Sequence, residues 1–200
     1  MTIMTEAAPL SGFTNQATES NHIFRAALEV MSRPGKIMPM PDIPTPKDLN
    51  SAATCILLAL ADVDTPIWID PAVRNDEILS HLRFHTGAEI TDDIGKAAFA
   101  IASASSESDY LNQLPLGTPE MPHTSATLIL LVDDFNDTSA MTLSGPGIKD
   151  KETLGVTPLP HGFLVWAQAN QRLFPCGVDT FFASARSLAA LPRSCNIEVT

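Results

Sequence analysis

A chain of 200 residues with 44% hydrophobic and 18% charged side chains can fold as one globular domain; surface scaling has it bury roughly 70% of its unfolded surface. Its formal net charge of −11 repels nucleic-acid phosphates and anionic lipid, and no basic run offsets this. Cys55, Cys176 and Cys195, an odd number without C-x-x-C spacing, argue against a disulfide framework and a zinc knuckle.

Met1 to Leu10 contains Glu6 and lacks the apolar core of a signal peptide. The longest apolar run, Cys55 to Ala61, is far short of a membrane span, so cytoplasmic localisation is expected. Residues 1–19 read as a loosely ordered N-terminal segment and 20–200 as a single α/β domain. The first helix is expected over Ser20–Ser32, with Ile23, Ala27 and Val30 beside Phe24, Leu28 and Met31 on its apolar side. Arg33-Pro34-Gly35 ends it, because the residue before proline avoids the helical region. Four prolines between Pro39 and Pro46 make an extended loop. A second helix is expected over Asp48–Ala61 with Asp48 as its N-cap.

Pro66–Ile69 reads as a short buried strand, Asn75–His85 as a helix closed by Gly87, and Ala97–Ala102 as a second buried strand. Ser106–Leu114 is a short helix, and Ala126–Val132 is the strongest strand pattern in the chain. Ala140–Ser144 is a strand broken by Gly145-Pro146-Gly147; His161–Phe174 is a helix; Gly177–Ala183 and Cys195–Val199 are strands. Short apolar strands alternating with helices are buried on both faces. The expected fold is therefore α/β, a three-layer α/β/α arrangement around a mixed sheet.

Common catalytic motifs are missing: the sequence has no G-x-S-x-G, H-E-x-x-H, G-x-x-x-x-G-K-[ST] or G-x-G-x-x-G. Glu77, His81 and His85 share one face of the predicted third helix, but no further ligand is marked, so no metal is expected. Arg83 and His85 at that helix end read either as an anion- or partner-recognition surface or as a helix end that complements the dipole. Gly145 and Gly147 could turn backbone N–H groups toward an anion, although Pro146 removes one donor and a tight structural turn explains them as well. Cys176 has no adjacent base or cation and reads as structural. All five lysines lie in Pro-, Gly- or Asp-rich surroundings, unlike a desolvated Schiff-base lysine.

Seven segments, taken in order and spacing, resemble one family. They are Phe24–Gly35, Thr65–Asp70, Leu82–Thr86, Leu114–Pro119, Leu143–Ile148, Phe174–Asp179 and Leu191–Arg193. Together, from about residue 12 to the C-terminus, they are similar to the H-subunit family, PhnH, of the carbon–phosphorus lyase system. The resemblance implies a fold like the large domain of pyridoxal-phosphate-dependent transferases without the cofactor site, and no cofactor. It also implies a homodimer that joins the G, I and J subunits in a core complex. That complex forms ribose 1-methylphosphonate 5-triphosphate from ATP and methylphosphonate, with loss of adenine. No catalytic residue carries over from the family. The candidate contacts for partners or a phosphorylated small molecule are Arg25, Arg33, Arg83, His85, Gly145, Gly147 and Arg193. The alternative is a stand-alone enzyme that binds phosphonate or phosphate esters between the Arg83–His85 end and the Gly145–Gly147 loop. A scaffold without ligand contact is a third reading.

Overall fold

The computed structural model describes residues 10–136 and 140–198. The first nine residues of the expected N-terminal segment, and Val199 of the expected last strand, lie outside them. The first helix, α1 (Gln16–Ser32), begins four residues before the expected start. Asn15 is the reason: its side chain accepts from the Thr18 N–H at 3.2 Å, while its own N–H donates to Glu19 Oε1 at 2.9 Å. Ile23, Ala26, Ala27 and Val30 are buried, but Phe24 and Leu28, expected on the same apolar side, face solvent.

Helix α2 (Ser51–Leu60) is capped by Asn50 and not by Asp48. Asp48 sits in a left-handed turn at φ 68°, two residues after Pro46, and cannot begin a helix there. Asn50 accepts from the Ala53 N–H at 2.9 Å and donates to the Ala183 carbonyl at 2.8 Å, tying the helix start to the sheet. Helix α3 (Asp76–Thr86) matches the sequence reading, with Asn75 as N-cap and Gly87 in the left-handed conformation at its end. Helix α4 (Phe163–Gln171) is shorter than expected. The segment from Ser106 to Leu114 forms a 3-10 turn over Asp109–Gln113, not an α-helix.

The strands are β1 (Met38–Pro39), β2 (Ile67–Ile69), β3 (Ile90–Thr91), β4 (Phe99–Ser103), β5 (Thr127–Leu131), β6 (Ala140–Ser144), β7 (Glu152–Gly155), β8 (Asp179–Ala183), β9 (Ser187–Leu191) and β10 (Asn196–Glu198). Seven of them form one mixed sheet in the order β1-β9-β8-β5-β4-β2-β3. Strands β3, β2, β4, β5 and β8 run parallel; β9 returns antiparallel to β8, and β1 pairs antiparallel with β9. Strands β10, β6 and β7 form a separate antiparallel sheet. Four strands, β1, β3, β7 and β9, have no counterpart in the sequence reading.

Side chains alternate across the main sheet and divide the core in two. Ile67, Ile69, Phe99, Ile101, Ile129 and Phe181 pack with α1, α2 and α3 on one face. Ala100, Ala102, Leu128, Leu130 and Phe182 pack on the other with α4, the 3-10 turn and the small sheet. The expected three layers are present, with the second outer layer built partly from strands.

Candidate functional site

The seven residues singled out by the sequence fall in two places and along one exposed helix. Arg25 lies exposed on α1, where its Nε donates to Asn21 Oδ1 at 3.0 Å. Arg33 closes α1 and pairs with Glu29 at 3.2 Å; its side chain is largely in solvent. The hydrogen bond from Lys36, followed by the charges of Arg33 and Lys36, holds the Glu29 carboxyl below its ordinary range against the opposing effect of desolvation.

Arg83 and His85 occupy the last turn of α3. Arg83 is exposed. The His85 ring lies 2.8 Å through Nε2 from the Leu10 carbonyl, and Gly12 fits against that ring so closely that a Cβ would stand 2.8 Å from Nδ1. His85 thus holds residues 10–12 on α3. His81, one turn earlier, packs against His85 with ring centroids 4.4 Å apart and ring planes tilted by 55°. It is 1% exposed and neither ring nitrogen has a hydrogen-bond partner. Burial first, and then the His85 charge, pushes its pKa down to about 4, so the imidazole is neutral near pH 7.

The other place joins the end of α1, the Gly145–Gly147 turn and Arg193. Gly147 has φ 83°, and a Cβ there would sit 1.9 Å from the Ser32 carbonyl oxygen. Only glycine allows this approach. Gly145 lies against the Ser194 carbonyl, next to Arg193. Arg193 grips Asp179 through Nη2 at 2.6 Å, Nε at 3.1 Å and its backbone N–H at 2.8 Å. Its Nη1 also donates to the Pro122 carbonyl at 2.9 Å and reaches the Pro175 carbonyl at 3.5 Å. The Arg83–His85 end, by contrast, packs with residues 10–12.

A cleft of about 480 Å³ opens beyond the carboxyl ends of β4 and β5, beside the start of α2. Ligands of open parallel sheets bind at this edge. Asp48, Asn50, Val73, Ser103, Leu131 and Asp133 contribute to its wall, and among the described residues no arginine, lysine or histidine does. Such a lining suits hydrogen-bond donors or cations and opposes a phosphonate dianion. Its residues come from distant stretches of chain, so no local pattern announces it.

At the carboxyl end of β2, Asp70 is 6% exposed. Its Oδ1 accepts from the Ala72 N–H at 2.9 Å, whereas Oδ2 has no partner. The Tyr110 hydroxyl is likewise buried and unpaired, and its ring lies 5.8 Å from that of Trp68. Burial, and after it the Asp70 charge, holds the Tyr110 phenol above its ordinary range.

Two of the three thiols and all the lysines are poorly placed for covalent chemistry. Burial pushes the thiol of Cys55 up to about 12 and that of Cys195 to about 11, so both stay protonated. All five lysines are exposed. No cluster of three or more His, Cys, Asp or Glu side chains among the described residues is arranged to hold a metal ion. No helix among them is long and apolar enough to cross a membrane.

The profile of a family described as bacterial phosphonate metabolism protein, PhnH, matches residues 11–198. The chain belongs to the PhnH family. It is 32% identical over 188 residues to the alpha-D-ribose 1-methylphosphonate 5-triphosphate synthase subunit PhnH of Rhizobium meliloti (strain 1021), covering 93% of this chain and 94% of the relative. It is 29% identical over 189 residues to a putative C-P lyase subunit protein, HtxG, of Stutzerimonas stutzeri, covering 92% and 88%. All seven segments that carry the sequence resemblance lie inside the PhnH match. Three of them, Leu114–Pro119, Phe174–Asp179 and Leu191–Arg193, meet around Arg193: Gly177 donates to the Leu116 carbonyl at 2.8 Å, and Arg193 holds Asp179 and Pro175.

Proposed function

We propose that this chain is a subunit of a carbon–phosphorus lyase core complex, needed to form alpha-D-ribose 1-methylphosphonate 5-triphosphate from ATP and methylphosphonate, and that it does not catalyse alone. The observation that carries this reading is the nearly end-to-end similarity to the Rhizobium meliloti subunit of that synthase. Both relatives are named as subunits, which favours a complex over a stand-alone enzyme. A cleft lining with no basic side chain among the described residues also speaks against a self-sufficient phosphonate site there.

The companions in this reading are the G, I and J subunits and a second copy of the chain, in the cytoplasm. The exposed arginines Arg25, Arg33 and Arg83 are its candidate contacts for partners or a phosphorylated small molecule. His85, Gly145, Gly147 and Arg193 organise the surfaces beside them. A likeness to the large domain of pyridoxal-phosphate-dependent transferases is supported by the seven-stranded, mainly parallel sheet with an antiparallel strand near one edge.

Deletion of the gene, followed by growth on methylphosphonate as sole phosphorus source, tests the reading. Growth should stop and return on complementation; undiminished growth of the deletion strain would remove the assignment.

A further inference from the structure

The amino ends of β5 and β8 lie at the opposite edge of the sheet from the cleft, and the turns that lead into them carry four exposed apolar side chains. Phe174 is 61% exposed, Met121 50%, Leu173 44% and Leu116 39%. The two turns form one surface. The Gly177 N–H donates to the Leu116 carbonyl at 2.8 Å, and Arg193 Nη1 spans from the Pro122 to the Pro175 carbonyl. Asp179 fixes Arg193 in turn, and the Leu116–Met121 turn is closed by paired bonds between Thr118 and Met121. The backbone that carries these side chains is therefore fixed before anything binds it, which lowers the ordering cost of association.

Charge narrows the choice of occupant. The formally charged residues on the two turns are Glu120 and Arg172, one acid against one base, with His123 and Cys176 beside them, on a chain of net charge −11. A protein of opposite net charge would be drawn to the acidic chain over long range and find a nearly neutral, apolar centre to bury. A few such side chains at the middle of an interface supply most of its binding energy.

We propose that the Leu116–Met121–Leu173–Phe174 surface docks a companion subunit of the phosphonate-degrading complex, one with apolar side chains at its contact centre and a net-positive surface around them. The proposal rests on the subunit reading above and adds to it the place and chemistry of one interface. Contact between copies of this chain would use another face.

The test is co-expression of the tagged chain with the G, I and J subunits. Phe174→Glu and Met121→Glu are compared with Val165→Glu, an exposed apolar position in the first turn of α4. Wild type and Val165→Glu should retain a companion. Each patch variant should lose it at least tenfold while keeping the wild-type circular dichroism melt, and raised salt should slow wild-type association. Should one patch variant fold poorly, the other decides.

Recovery of companions with both patch variants would overturn the docking surface and leave the subunit reading standing. A wild-type chain that captures none of the three would overturn both. Sedimentation of the isolated chain covers the remaining outcome: self-association abolished by Phe174→Glu would show the patch to be a contact between copies, against the proposal.

Discussion

Arg193→Ala should destabilise the fold at a point where three distant segments meet. The substitution leaves the Asp179 carboxylate with only the residue 193 backbone N–H, and it takes from the Pro122 carbonyl its 2.9 Å donor. Both partners are mostly shielded, with side-chain exposures of 16% and 19%. The loss therefore falls between that of a surface pair, below about 1 kcal/mol, and that of a broken buried pair, about 3–5 kcal/mol. A value of about 2–3 kcal/mol follows, equivalent to a fall in Tm of about 4–12 °C for a chain of this size. Arg193→Lys keeps the charge but not the fork and should lose a large part of the same stability. Arg33→Ala removes a pair with 64% side-chain exposure on the arginine and should change stability by less than about 0.5 kcal/mol. Urea titrations of the three variants give the comparison. Equal, negligible losses at positions 193 and 33 would refute the assignment of Arg193 as an organising residue.

Gly147→Ala places a methyl group 1.9 Å from the Ser32 carbonyl at a positive φ, and should cost about 3 kcal/mol or more in thermal melts or abolish folding. Asn50→Ala removes both the α2 cap and the bond to the Ala183 carbonyl and should cost about 2 kcal/mol by urea titration, whereas Asp48→Ala, the cap suggested by the sequence, should cost less than about 1 kcal/mol. His81 supplies a pH dependence. Its folded pKa of about 4 lies below the unfolded value of 6.5, so the unfolded chain binds the proton more readily between those values. Its contribution is complete above pH 6.5 and is lost as pH falls toward 4, by at most about 3 kcal/mol. His81→Leu should flatten the stability difference between pH 7 and pH 5 measured by urea titration; an unchanged slope would show that other groups carry it.

Local chemistry written in consecutive residues was legible from the sequence. The runs Phe99–Ser103 and Thr127–Leu131 are buried on both faces, as their continuous apolar character requires, and α3 is bounded by Asn75 and Gly87 because a side-chain cap and a left-handed glycine act within one turn. The family, too, was readable, since its motifs are stretches of neighbouring residues. Tertiary structure alone decided the rest. Ser187–Leu191, rich in alanine, becomes a strand because β8 offers it an open edge, and β6 leaves the main sheet because β7 and β10 pair with it elsewhere. Phe24 and Leu28 lie roughly a third of a turn around α1 from the buried Ile23, Ala26, Ala27 and Val30, and the packing of the folded chain covers only that narrower stripe. The cleft, the Trp68–Tyr110 ring contact and the surface around Arg193 each join residues tens of positions apart. Their contacts exist only once the sheet has brought those segments together, and a linear pattern holds no record of such distances.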